Sequence, residues 1–181
     1  LPIDLSDLTD RMQQTTIHKD LASVGIDSPV SLLALFLMAD GHIDHFVGDG
    51  PLNTDDLAYL EHSASRCFGR ETTPENIAAL LEKRQFPAFF LAGDYPPLDP
   101  GFEKDLLRLF QAREKTMAGR ILSYKGDFDG SVKHYRTALE QAPEDGVTKI
   151  LLKDALGTLA STWANKGDQI RRSGKLKEAV S

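Results

Sequence analysis

Apolar residues recur at intervals of three and four along most of the chain, which is the period of an α-helix that packs through one face. Leu5, Leu8 and Met12 begin this pattern. Asp4 precedes them, and an aspartate there can cap a first helix running through about Gln14. Because this helical period dominates the sequence, we predict an all-α fold.

Start and stop signals divide the N-terminal part of the chain into further helices. Thr15 or Thr16 can cap a second helix, which stops at Gly25, a residue suited to the left-handed position after a helix. Ser28-Pro29 begins a third helix, which we expect to run through Leu37. This third helix is apolar almost all round, so it should be buried on most sides.

Residues 41–56 interrupt the helical period with recurring glycine and proline. We predict a loop here, anchored to a core by Ile43, Phe46, Val47 and Leu52.

A new helix start follows at Thr72-Thr73-Pro74-Glu75, and prolines recur in the segment around residues 86–102. We therefore expect a small helical subdomain at residues 1–85, a proline-rich connector at 86–102 and a second helical region at 103–181.

Residues 112–145 show the pattern of two helices that pack closely together. Gly119 lies in the first helix, Ser131, Tyr135 and Ala138 lie in the second, and Pro143 follows. Small residues let two helices approach, an aromatic ring fills the groove between them, and proline ends the second helix. This spacing resembles the tetratricopeptide repeat (TPR), a helix-turn-helix unit of about 34 residues.

A partial second copy follows at residues 160–181, with Trp163, Gly167, Gly174 and Ala179 at matching positions. Residues 146–159 separate the two copies, and their apolar side chains at intervals of four predict one long helix that leads into Trp163. Repeats of this kind bury their faces against their neighbours, so we expect the native protein to continue beyond this copy.

Residues 15–85 resemble the region that follows the catalytic fold in bacterial spermidine-synthase-like proteins carrying TPR repeats. The string PLNTDD at 51–56, LE at 60–61 and SASR at 63–66 carry the resemblance. The family-like residues in these strings include Asn53, Thr54, Asp55, Asp56 and Glu61. Leu57 and Ala58 stand where family members usually have a basic residue and a proline. The resemblance implies an upstream Rossmann-like domain that binds an adenosyl-sulfonium nucleotide. No glycine-rich nucleotide loop occurs in this chain, so we expect no aminopropyl transfer and no cofactor here.

Charge is distributed unevenly along the chain. Residues 1–101 carry a net charge of −10 and residues 102–181 carry +4. We expect the two halves to attract each other or to meet separate partners. The basic excess is too mild for nucleic-acid binding. The longest strongly apolar run covers residues 32–38, far short of the about 20 residues that cross a bilayer. The single cysteine, Cys67, excludes an internal disulfide.

His42, Asp44, His45 and Asp49 form the densest group of potential metal ligands. We expect a solvated loop there and no metal site, because the break at Gly41 removes the regular geometry that would aim these side chains together. Residues 53–56 are interpreted as a helix cap, since their acceptor side chains complement a helix start. A catalytic carboxylate pair is the alternative, but no base or nucleophile accompanies it.

The repeat interpretation also predicts a peptide-binding face. Its first helix would present Arg113, Thr116, Arg120 and Ser123, and the second copy would add Asp168, Arg171 and Arg172. Arginines on a concave face receive acidic peptides or carboxylates. A solvated helix face is the competing interpretation.

We therefore expect a non-catalytic interaction or scaffolding module. The alternative is an accessory lobe of an aminopropyltransferase-like enzyme. The expected partners are an unidentified, acidic protein or peptide, the upstream domain of the parent protein, and a second copy of the chain in a homodimer. We expect a cytoplasmic location without membrane insertion, and leave open whether the parent protein associates with a membrane.

Overall fold

The computed structural model describes residues 3–39, 41–49, 71–87 and 100–172. Within these ranges the chain forms eight helices and no strand, which confirms the predicted all-α fold. In chain order the helices are α1 (Leu5–Gln13), α2 (Thr15–Ser23), α3 (Pro29–Leu33), α4 (Gly41–Val47), α5 (Thr73–Glu82), α6 (Pro100–Tyr124), α7 (Phe128–Gln141) and α8 (Gly146–Arg172).

The first two helices follow most of the predicted signals. The carboxylate of Asp4 accepts hydrogen bonds from the backbone N–H groups at the start of α1, as predicted. The predicted threonine cap of α2 is wrong, because α2 begins at Thr15 and is preceded by Gln14, whose side chain makes no capping hydrogen bond. Gly25 follows α2 with a φ of 82°, in the left-handed region that was predicted for it.

Helix α3 begins at the predicted signal but is much shorter than predicted. Ser28 caps it, and Ser28 and Ser31 satisfy each other's backbone N–H groups in a capping box. The helix ends at Leu33, so the predicted extension to Leu37 is wrong. Of its residues, only Ser31 and Leu33 are fully buried.

The early end of α3 has a tertiary cause. The guanidinium of Arg84 donates to the carbonyl oxygens of Ala34 and Phe36, and the backbone N–H of Gln85 donates to the carbonyl of Leu37 at 2.7 Å. Carbonyls that accept from another segment do not need the helical i+4 partner. The segment after α3 is therefore hydrogen-bonded to the residues that follow α5, and it does not continue as a helix.

The predicted loop at residues 41–56 is wrong in its first half, which forms α4. Ile43, Phe46 and Val47 keep the helical interval, and Gly41 stands at the start of the helix instead of interrupting one. These three apolar side chains are 44%, 40% and 63% exposed, so the expectation that they anchor the segment to a core is also wrong. Residues 50–56 lie outside the described residues.

Helix α6 is the central element of the fold. Helices α1, α3 and α5 surround its N-terminal part, and α7 packs along its C-terminal part. The main core therefore combines residues from both sides of the proline-rich segment: Leu33, Ala34, Leu106, Leu109, Ala112 and Ala142.

The predicted close packing of α6 and α7 is confirmed. Ser131, Tyr135 and Ala138 are all buried on α7. A Cβ atom on Gly119 of α6 would lie 2.6 Å from Cε1 of Tyr135, a distance at which something must shift. Glycine at this position therefore lets the two helix backbones approach with the tyrosine ring between them.

Helix α8 is a single helix of 27 residues, which confirms the long helix predicted to lead into Trp163. Its first half packs on α7 through a second core made of Val132, Tyr135 and Ala155, with Leu151, Leu152 and Leu159 around it. Helix α7 has only 14 residues, so the second half of α8 extends past the start of α7. We call residues 160–172 the α8 extension.

Candidate functional site

Two of the residues predicted to bind a peptide are buried inside the helix bundle. The guanidinium of Arg113 forms an ion pair of 2.8 Å with Asp145, and the side chains are 1% and 0% exposed. Thr116 is also 1% exposed, and its hydroxyl shares a hydrogen bond of 2.6 Å with Thr148. The predicted role of Arg113 and Thr116 on a ligand-facing surface is therefore wrong.

The physical reason is that a third helix covers this side of α6. Asp145 stands directly before α8, and its carboxylate accepts from the backbone N–H of Val147 at 3.1 Å and from the hydroxyl of Thr148. It thus caps α8 while neutralising Arg113. Burial lowers the pKa of Arg113, and the attraction to Asp145 opposes that shift. These residues join α6 to α8 and have a structural role.

The other two predicted residues of α6, Arg120 and Ser123, line an open groove. The groove has a volume of about 240 Å³ and lies where α6, α7 and α8 meet, near the C-terminal end of α6. Its lining is Arg120, Ser123, Tyr124, Phe128, Tyr135, Leu151, Asp154, Ala155 and Thr158.

Hydroxyl groups form the floor of the groove. The hydroxyl of Ser123 donates to Ser131 at 2.9 Å and lies 3.3 Å from the hydroxyl of Tyr135. Burial raises the pKa of Tyr135, and the hydrogen bond to Ser123 opposes the shift. The tyrosine is therefore neutral at physiological pH, and the floor is polar without being charged.

Two opposite charges stand on the walls of the groove. Arg120 on α6 donates to the hydroxyl of Tyr124 at 3.0 Å, and its guanidinium carbon lies 5.7 Å from the centre of that ring. Asp154 on α8 is exposed. Neither charge forms an ion pair with any other described residue. Both charges line the same groove as the Tyr135 side chain.

Sequence reasoning missed the wall of the groove contributed by α8. Leu151, Asp154, Ala155 and Thr158 lie within two turns on one side of the helix. The interval of four between Leu151 and Ala155 predicts a helix that packs through this face. The same interval could have indicated that the polar residues beside this face, Asp154 and Thr158, lie at its edge.

The predicted residues of the second copy do not join this groove. Asp168, Arg171 and Arg172 lie on the α8 extension, about three to four turns beyond Thr158. Arg171 and Asp168 form an exposed ion pair of 3.2 Å.

The positions that carry the N-terminal resemblance, Asn53, Thr54, Asp55, Asp56 and Glu61, lie outside the described residues. His42, Asp44 and His45 belong to α4, so the expected irregular loop is wrong for them. Across the described ranges, no three His, Cys, Asp or Glu side chains are grouped so that they could hold a metal ion.

Among the described residues, the expected attraction between the acidic and basic halves does not take the form of direct ion pairs. Each ion pair of the described residues joins two residues on the same side of position 101. The halves are held together by the shared apolar core and by the hydrogen bonds of Arg84, one of which reaches the carbonyl of Phe110 on α6 at 2.8 Å.

In the part of the chain that the structure describes, no helix combines the length and apolar character needed to cross a membrane. Comparison with family models, with curated proteins and with solved structures found no match to this chain.

Proposed function

We propose that this chain is a non-catalytic interaction module that binds an extended segment of a partner protein in the groove between α6, α7 and α8. The observation that carries the proposal is that Arg120 and Asp154 stand on opposite walls without an ion pair to any described residue, above a floor of hydroxyl and aromatic groups. Pockets whose lining combines apolar side chains with a few convergent polar groups are typical binding sites.

The chemistry of the walls favours peptide main chain as the ligand. Arg120 offers hydrogen-bond donors and Asp154 offers acceptors. An extended segment presents both carbonyl and N–H groups, so it satisfies both walls at once. Leu151, Ala155 and Phe128 then provide an apolar surface for one side chain. The carboxylate of Asp154 repels a segment that is acidic along its whole length. We therefore expect the partner segment to carry an acidic side chain only where it lies beside Arg120.

The TPR interpretation supports the same function. The seating of Tyr135 against Gly119 and the long antiparallel helices agree with a repeat whose inner helices line a binding groove. In this proposal α6 and α8 are the inner helices and α7 is the outer helix between them.

The test is a peptide array of decamers with systematically varied sequence, probed with the wild-type chain and with Arg120→Ala and Asp154→Ala. We expect both variants to lose about tenfold in affinity for the same peptides, because each removes one desolvated polar contact of about 1.5 kcal/mol. Arg136→Ala is the matched control, since Arg136 is an exposed arginine on α7 outside the groove. Its affinities should equal those of the wild type.

Helix content and thermal unfolding by circular dichroism should be nearly unchanged in all three variants, because surface substitutions usually alter stability by less than about 0.5 kcal/mol. If the peptides that bind the wild type bind both groove variants equally well, the groove is not the binding site.

A further inference from the structure

The α8 helix carries a second surface that the groove does not use. Leu156, Ala160, Trp163 and Gly167 recur at intervals of four, three and four, so they lie along one side of the helix. We call these four residues the outer stripe. All four are exposed, with Leu156 at 40% and Trp163 at 62%. An apolar strip that includes an exposed tryptophan is typical of a protein-binding surface.

The fold itself shows how a glycine on a helix face seats another helix. At Gly119 the space of a Cβ atom is occupied by the ring of Tyr135 from α7. A Cβ atom on Gly167, in contrast, would meet no atom within 4 Å. The α8 extension therefore has the small residue that permits a close helix contact, without a described helix in that position.

A small cavity beside Trp163 adds a place for one side chain. It has a volume of about 190 Å³ and is bounded by residues 126–129, which end the α6–α7 turn and begin α7, and by Leu159, Thr162, Trp163 and Lys166 of α8. The ammonium of Lys166 lies 5.6 Å from the centre of the tryptophan ring.

The charges around the outer stripe are basic on the side away from the turn. Lys149 and Lys153 are exposed and lie on the same side of α8 as the stripe, one to two turns before it. Asp154 lies nine residues from Trp163, which places it on the opposite side of the helix. Asp168 points about 140° away from Trp163, at about 100° per residue. Across the cavity lie Asp127, which caps α7, and Asp129 in the first turn of α7.

We propose that the outer stripe binds an amphipathic helix of a partner protein, whose acidic edge lies along Lys149 and Lys153. Complementary charge decides between possible occupants, because a helix with acidic residues on that edge gains attraction and one with basic residues is repelled. The apolar face of the partner helix covers Leu156 and Trp163, and one of its larger side chains enters the space above Gly167.

The chain offers a direct reporter, since Trp163 is its single tryptophan. Two synthetic helical peptides of about 18 residues, which is about 27 Å of helix, match the length of the surface. Both carry the same leucine and alanine stripe; one is flanked by glutamates and the other by lysines. Titration with the glutamate peptide should shift the emission of Trp163 to shorter wavelength and saturate, and added salt should weaken the binding. The lysine peptide should produce no shift.

Charge reversal tests the orientation of the partner helix. Lys149→Glu combined with Lys153→Glu should weaken binding of the glutamate peptide about tenfold, since two exposed attractive charge pairs become repulsive on reversal. The same variant should now bind the lysine peptide. Arg172→Glu is the matched control, because Arg172 lies nine residues from Trp163 on the opposite side and should leave both affinities unchanged.

Three other results would overturn the proposal. A concentration-dependent shift without peptide, with doubling of mass in sedimentation equilibrium, would assign the stripe to a second copy of this chain. If Trp163 already emits at the short wavelength of a buried tryptophan and its emission responds to neither peptide, the outer stripe is covered by another segment of the same chain. Equal binding of both peptides would remove the role of the lysines. Because none of these variants alters the groove, failure here leaves the groove proposal unaffected.

Discussion

The effect of a glycine in this protein depends on what lies within reach of the missing side chain. Gly119 and Gly157 both occur in the interior of long helices. A Cβ on Gly119 would meet the buried ring of Tyr135 at 2.6 Å, whereas a Cβ on Gly157 would meet nothing within 4 Å. The first glycine is needed for helix packing, and the second only lowers helix propensity.

We therefore expect opposite signs for two identical substitutions. Gly119→Ala should destabilise the chain by about 1–2 kcal/mol, because overpacking costs about 1–3 kcal/mol and the gain in helix propensity returns up to about 1 kcal/mol. Gly157→Ala should stabilise it by up to about 1 kcal/mol. Urea unfolding followed by circular dichroism measures both, and an unchanged midpoint for Gly119→Ala would show that α6 and α7 can separate without loss.

Among the helices and their ends, the side chain of Arg84 connects three separate parts of the chain. Its guanidinium lies 3.5 Å from the centre of the Phe110 ring and donates to backbone carbonyls of Ala34, Phe36 and Phe110. Burial lowers its pKa to about 10, so the side chain remains charged at neutral pH. One arginine thus joins the segment after α3, the end of α5 and the middle of α6.

Replacing Arg84 should be costly for this reason. Arg84→Met leaves several part-buried carbonyls without their donor, and we expect a loss of about 3 kcal/mol in the free energy of unfolding. Arg11→Met is the control, because the Arg11 side chain is 68% exposed and its solvent-screened ion pair with Asp7 should contribute little to stability. Equal midpoints of the two variants in urea would contradict the role assigned to Arg84.

These cases show how much could be predicted from local pattern. The starts of α1 and α3 follow from their caps, the helix at Thr73–Glu82 follows from its early proline and apolar intervals, and the long α8 follows from its apolar intervals. The structure confirms these helices, although no side chain caps the one at Thr73–Glu82. The end of α3 could not be predicted, because it depends on an arginine about 50 residues away. The burial of Arg113 could not be predicted either, since it requires α8 to lie against α6.

At the scale of the whole molecule, Gly25 connects the first part of the fold to the last helix. It has a φ of 82°, and a Cβ atom there would lie 2.3 Å from the backbone carbon of Gly146, at the start of α8. Gly146 is equally confined, because its own Cβ would lie 2.6 Å from the carbonyl oxygen of Gly25. Two backbones therefore touch, next to the buried pair of Arg113 and Asp145.

We expect Gly25→Ala to destabilise the whole fold by more than about 3 kcal/mol, since it combines a strained backbone conformation with a backbone clash. Gly48→Ala is the matched control. Gly48 has a φ of 61° but meets nothing within 4 Å, so only the conformational strain of about 1 kcal/mol applies. Thermal unfolding followed by circular dichroism should show one cooperative transition, lowered far more in the first variant. Similar decreases in the unfolding temperature of both variants would mean that the backbone contact between Gly25 and Gly146 can open without loss of stability.

The all-α class, most helix starts, the close packing of Gly119 against Tyr135 and the continuous α8 helix could all be predicted from the sequence. Each of these depends on interactions between residues near in sequence, or on one helix pair joined by a short turn. Tertiary structure decided which polar residues are available for binding. Arg113 and Arg120 lie on the same helix, but α8 covers the first and leaves the second at an open groove, because a residue's burial depends on every helix that packs against its face.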